Sequence, residues 1–99
     1  MIVRILDDAT AEFANAIAHY EEMESGLGVR FRLEIQAAAA WIENHPELPN
    51  LRPNGYRRVN LKVFPYYVAY VIHSGIIWIL AIAHGARRPE YWLERRIPV

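Results

Sequence analysis

The 99-residue sequence has no cysteine, which excludes a disulfide framework, a thiolate metal site and a cysteine nucleophile. Its two serines, Ser25 and Ser74, both stand beside glycine in turn-forming contexts, which argues against a serine nucleophile. No apolar run approaches the roughly 18 residues a membrane span needs. The longest, Ile76 to Ala83, has the length of a strand. The opening MIVRILDDAT lacks the basic head, apolar stretch and small-residue cleavage site of a secretory signal. No Walker loop, GxGxxG or HExxH occurs, and His19, His45, His73 and His84 are too scattered to be metal ligands on one element. The expectation is therefore a protein without cofactor, metal or membrane partner. The missing cysteines suit a reducing cytoplasm.

What is present describes an ordinary folding chain. Apolar residues make up 54% and charged residues 22%, a globular balance and not a disordered one. The length predicts one domain over residues 1–99 with one modest core. The net charge of zero hides an asymmetry. Residues 1–50 hold three arginines against nine acids, a net of −6, and residues 51–99 hold eight cations against two acids, a net of +6. The basic half suits a polyanion or an acidic protein partner, or else simply attracts the acidic half.

Periodicity predicts the elements. Ile2–Leu6 is short, apolar and β-branched, and reads as a strand. Asp7 and Asp8 are candidate N-caps for a helix from about Thr10 to Glu24, with Phe13, Ile17, Tyr20 and Met23 at helical spacing. Glu21, Glu22 and Glu24 crowd its C-terminal end, where the helix dipole disfavours acids. Ser25-Gly26-Leu27-Gly28 breaks it. A second helix from about Gly28 to Asn44 carries Phe31, Ile35, Ala38 and Ile42 on one stripe, and Pro46 stops it. The short break predicts an antiparallel helical hairpin. After a proline-rich loop, Tyr56–Val63, Tyr66–His73 and Ile76–His84 read as strands, the last two joined by a tight turn at Ser74-Gly75. A short helix is expected from Glu90 to about Arg96, and Trp41 and Trp78 are expected in the core. The order predicts an α+β domain, a helical hairpin packed on one face of a small antiparallel sheet.

The residues able to carry chemistry lie in the basic half. His84 ends the last strand beside Arg87, Arg88 and Tyr91, a set suited to acid–base work on a phosphodiester, although a strand-end histidine also caps backbone. Arg58, Asn60 and Lys62 alternate along the second strand, with Arg57 on its other side, and with Arg87 and Arg88 they suit a phosphate-holding patch or a charged edge that blocks strand pairing. Tyr67 and other tyrosines interleave with these cations, as base stacking requires.

GLGVRF at 26–31, NGYRRVNLKVFPYYVAYVI at 54–72 and ILAIAHGARRPEYWLER at 79–95 appear in an order that resembles toxins of the RelE/ParE superfamily of type II toxin–antitoxin, or plasmid stabilisation, systems. The resemblance implies a growth-inhibiting cytoplasmic toxin neutralised by a cognate protein antitoxin, in a complex that binds operator DNA. RelE-like members are mRNA interferases that cut at the ribosome. ParE-like members inhibit DNA gyrase and are not nucleases. Laid on the RelE pattern, Arg58 and Arg87 occupy two of its basic positions, while Asn60, Tyr67 and Leu93 stand where it has a lysine, an arginine and a tyrosine. His84 and Tyr91 are then the candidates for proton transfer, Arg58 and Arg87 for charge in catalysis. Lys62, Asn60, Arg57, Arg88 and Tyr67 are the candidates for holding a nucleic acid or other target. A non-toxic binding module of the same fold is the alternative.

Overall fold

The computed structural model describes residues 1–98. Strand β1, Ile2–Ile5, feeds directly into helix α1, Asp7–Met23, through Leu6, whose extended backbone forms the N-cap without a side-chain bond. Asp7 and Asp8 are not caps, as the sequence suggested, but lie inside the first turn. There they act through the dipole. Helix α2, Leu27–Asn44, packs back against α1. Gly28 makes this close approach possible, because a Cβ there would stand 2.6 Å from the Ile17 carbonyl oxygen.

The crowd of acids at the end of α1 has a structural answer. Glu21 accepts the Gly26 and Gly28 amides at 2.9 and 3.0 Å, so its carboxylate serves the free N–H groups that open α2. Gly26, the N-cap of α2, adopts a left-handed φ of 88° and has no side chain to do this itself. The predicted stripe of Phe31, Ile35, Ala38 and Ile42 is buried. Trp41 is not in the core. It is 37% exposed and stacks on His45 at 4.9 Å.

Strand β2 covers only Arg57–Asn60, shorter than the predicted Tyr56–Val63. Just past it, the Lys62 and Val63 amides turn to the Glu34 carboxylate on α2, at 2.7 and 3.0 Å, and leave the ladder. Strands β3, Tyr66–His73, and β4, Ile76–His84, form a hairpin whose two turn residues, Ser74 and Gly75, both have positive φ. The sheet order is β1-β4-β3-β2. It is mixed and not purely antiparallel, because β1 pairs parallel to β4. The helices and the β2–β3 segment supply the long connection that parallel pairing needs.

The register slips between Ala69 and Tyr70: Ala69 faces Ala81 while Tyr70 faces Ile79, so Leu80 is an extra residue on β4. Each side of the sheet has its own apolar layer. Val68, Tyr70, Ile77, Ile79 and Ile82 meet the helices. Tyr67, Ala69, Trp78, Leu80, Ala81 and Ala83 meet the C-terminal segment, with Trp92 only 1% exposed. That segment is a run of turns and not the expected helix over 90–96. Glu90, at the start, holds a left-handed φ of 59°.

Candidate functional site

The polar centre of the molecule arises where β1 gives out. Leu6 donates its amide to the Ile79 carbonyl at 3.0 Å, and there the chain turns into α1. The next edge groups on β4 lose their strand partner and must bond elsewhere. Glu12, one turn into α1, accepts the Ile82 amide at 3.1 Å, and Arg95 donates to the Leu80 carbonyl at 2.9 Å. Arg95 and Glu12 also meet through two parallel N–H···O bonds of 2.8 and 2.9 Å. Tyr91 donates its hydroxyl to the same carboxylate. Asp8 adds a looser ion pair to Arg95 at 3.6 Å. One carboxylate thus joins α1, β4 and the C-terminal segment.

These contacts set the protonation of the group. Burial first, and then the bond to Glu12, pushes the Tyr91 phenol up to about 12. The bond to Glu12 raises Arg95, against the opposing effect of burial. Tyr91 is therefore a neutral donor at physiological pH. Near the start of the helix predicted from about Thr10, Glu12 reads from the sequence only as an acid favoured by the helix dipole, since its partners lie about 70–83 residues further along.

His84, Arg87 and Tyr91 come together beside this node. With Asn15, His19 and Tyr66 they line a pocket of about 280 Å³ between α1 and the turn that follows β4. Arg87 lies over the Tyr91 ring at 3.9 Å. His84 stands edge-on to Tyr66, 5.0 Å between centroids, and its Nδ1 accepts the Ala86 amide at 2.9 Å.

Arg58 lies elsewhere. It pairs in register with Ala69, on the sheet face turned away from the helices, stacks over Tyr67 at 4.0 Å and donates to Asn60 at 3.2 Å. Tyr67 is buried beneath it, and its hydroxyl accepts the Trp92 indole N–H at 2.9 Å. His84, opposite Tyr66, faces the helices. The sheet therefore separates Arg58 from His84. Nearby, Tyr56 and Asn54 bind Glu90, and these bonds, Tyr56 first, hold its carboxyl below the ordinary range.

Arg57 points to the helix side, where it donates to the Pro49 carbonyl at 3.0 Å and pins the proline-rich loop. Lys62 lies at an apolar groove of about 440 Å³ between α2 and residues 59–63, whose walls include Ala37, Trp41 and Leu61. Arg88 is exposed beside Pro89. The basic residues are thus divided over both faces and do not form one positive surface. Among the described residues no cluster of histidines and acids could hold a metal ion, and no helix is long and apolar enough to cross a membrane.

No curated protein matches the chain. Among solved structures, a chain described as "Chromosomal ParDE TA system from P. aeruginosa" matches with a TM-score of 0.63 and 18% identity, covering 85% of this chain and 95% of that one. At this identity the likeness speaks for the fold. Residues 3–89 match the model of the ParE toxin of the type II toxin–antitoxin system parDE. That match takes in the helical hairpin, the sheet from Val3 onward and the turn after β4, and the chain belongs to the ParE toxin family.

Proposed function

We propose that the protein is a cytoplasmic growth inhibitor that acts by binding DNA gyrase and not by cutting mRNA, and that a cognate antitoxin neutralises it. Membership of the ParE family supports the toxin reading. The observation that carries the choice of mechanism is the separation of Arg58 from His84, Arg87 and Tyr91, which share a pocket on the other side of the sheet. An RNase of this kind needs a proton acceptor, a proton donor and cations around one phosphate. Here the sheet stands between Arg58 and His84. Tyr91, held by Glu12 and titrating at about 12, is a poor base near neutrality. Arginine is no base at all in this range. Inhibition by binding requires none of these functions.

The groove between α2 and residues 59–63 is where the antitoxin fits best. It is apolar, and the exposed side chains of Trp41 and Val63 border it. In a family of toxin–antitoxin systems, such a surface suits an apolar segment of the antitoxin, with Lys62 at the rim available to an acidic side chain.

Induced expression with parallel readouts of mRNA 5′ ends and plasmid supercoiling tests the mechanism. The wild type is expected to arrest growth and alter supercoiling without new mRNA ends. The double variant His84→Ala, Tyr91→Phe is expected to create no change in the mRNA pattern. New mRNA ends that depend on His84 and Tyr91 would reject the gyrase reading.

A further inference from the structure

We propose that the pocket between α1 and the turn after β4 binds a phosphoryl group, held by Arg87, His84, Asn15 and His19. At about 280 Å³ it lies just below the roughly 300–1,000 Å³ of pockets that enclose drug-sized ligands, so it suits a small group.

The donors are unspent. Among the described residues no carboxylate lies within ion-pairing distance of Arg87, whose guanidinium carbon stands 3.9 Å from the centre of the Tyr91 ring. The turn that returns Arg87 to the pocket is closed by its own amide bonding the His84 carbonyl at 3.1 Å. His84 Nδ1 accepts a backbone amide, which can only donate, so in the neutral ring the proton is assigned to Nε2. Asn15 brings an amide and His19 a second imidazole from α1.

The one acid in the lining does not oppose an anion. Both Glu12 oxygens are engaged, by Arg95, the Tyr91 hydroxyl and the Ile82 amide, and Arg95 balances its charge. This leaves Arg87 as the cation of the lining without a carboxylate partner. A planar carboxylate is satisfied by the guanidinium fork alone. Donors arriving from α1, from the end of β4 and from Arg87 instead match the several oxygens of a tetrahedral phosphoryl group. Free phosphate and a mononucleotide both present this chemistry. The proposal concerns binding only and does not depend on the toxin's target, so its failure leaves the gyrase reading standing.

The test is NMR of the labelled full chain, following the His84 ring and the Arg87 side chain. The chain is titrated with sodium phosphate, AMP, sodium acetate and sodium chloride at matched ionic strength. Phosphate is expected to give saturable shifts confined to the pocket. AMP binding as tightly or more tightly assigns a mononucleotide, and weaker AMP binding assigns free phosphate. Arg87→Gln removes a charge-assisted donor and is expected to weaken phosphate binding by about tenfold or more. His84→Asn keeps an acceptor for the Ala86 amide while deleting the Nε2 donor, and is also expected to weaken it. Thermal melts confirm that both variants fold. Three results would overturn the proposal: chloride or acetate matching phosphate, no saturable shift in the wild type, or unchanged binding in Arg87→Gln.

Discussion

Replacing Glu12 by alanine removes the group on which three elements converge. The carboxylate side chain is only 14% exposed and that of its partner Arg95 only 17%. The substitution breaks a two-bond ion pair, deprives Tyr91 of its acceptor and leaves the Ile82 edge amide unpaired. Removing one partner of a buried ion pair costs about 3–5 kcal/mol, and the residual exposure of both side chains brings the expectation to about 2–4 kcal/mol. That is a large part of the roughly 5–15 kcal/mol that holds a small domain folded. Glu12→Gln keeps an oxygen acceptor and should lose less. Denaturant unfolding at pH 7, with linear extrapolation, reads both variants. A double-mutant cycle with Arg95→Met then separates the pair from its surroundings. A loss below about 1 kcal/mol for Glu12→Ala, or strict additivity with Arg95→Met, would show that the carboxylate does not tie the C-terminal segment to α1.

Three further outcomes follow from the same structure. Ile35→Ala empties the middle of the buried α2 stripe and should cost about 2–5 kcal/mol in chemical denaturation. Gly28→Ala places a methyl 2.6 Å from the Ile17 carbonyl oxygen and should lower stability by about 1–3 kcal/mol, read as a lower midpoint with an unchanged denaturant slope. Tyr91 holds its proton more tightly in the fold than in the unfolded chain, so stability is intact below pH 10 and falls as pH rises towards about 12; Tyr91→Phe should flatten that alkaline limb in pH-dependent unfolding.

The sequence made some of this architecture legible because the signals were local. The β3–β4 hairpin matches its predicted limits, since two apolar runs around Ser74-Gly75 have few other ways to pair. The α2 stripe follows from helical spacing alone. Trp41 neighbours that stripe, but it stays 37% exposed with the His45 ring stacked on it, and periodicity does not report how far a flank is covered. The predicted strand through Val63 was cut short by Glu34, an acid 28 residues before Lys62. The helix expected after Pro89 fails at Glu90, whose carboxylate is held by Asn54 and Tyr56 from the far end of the sheet. At the site, the nearness of His84, Arg87 and Tyr91 in sequence carried over into space. Alternation along a strand did not tell which face Arg58 would share, and no spacing rule connects Glu12 to Arg95.

In the proposed function the toxin stops growth by binding gyrase, with no catalytic group of its own. Purified gyrase supercoiling relaxed plasmid DNA in the presence of the purified toxin tests this most directly, with mRNA on ribosomes as a parallel substrate. The toxin is expected to block supercoiling or trap gyrase-cleaved DNA, His84→Ala with Tyr91→Phe to retain this effect, and the mRNA to stay whole. Unimpaired supercoiling together with cleaved mRNA would contradict it.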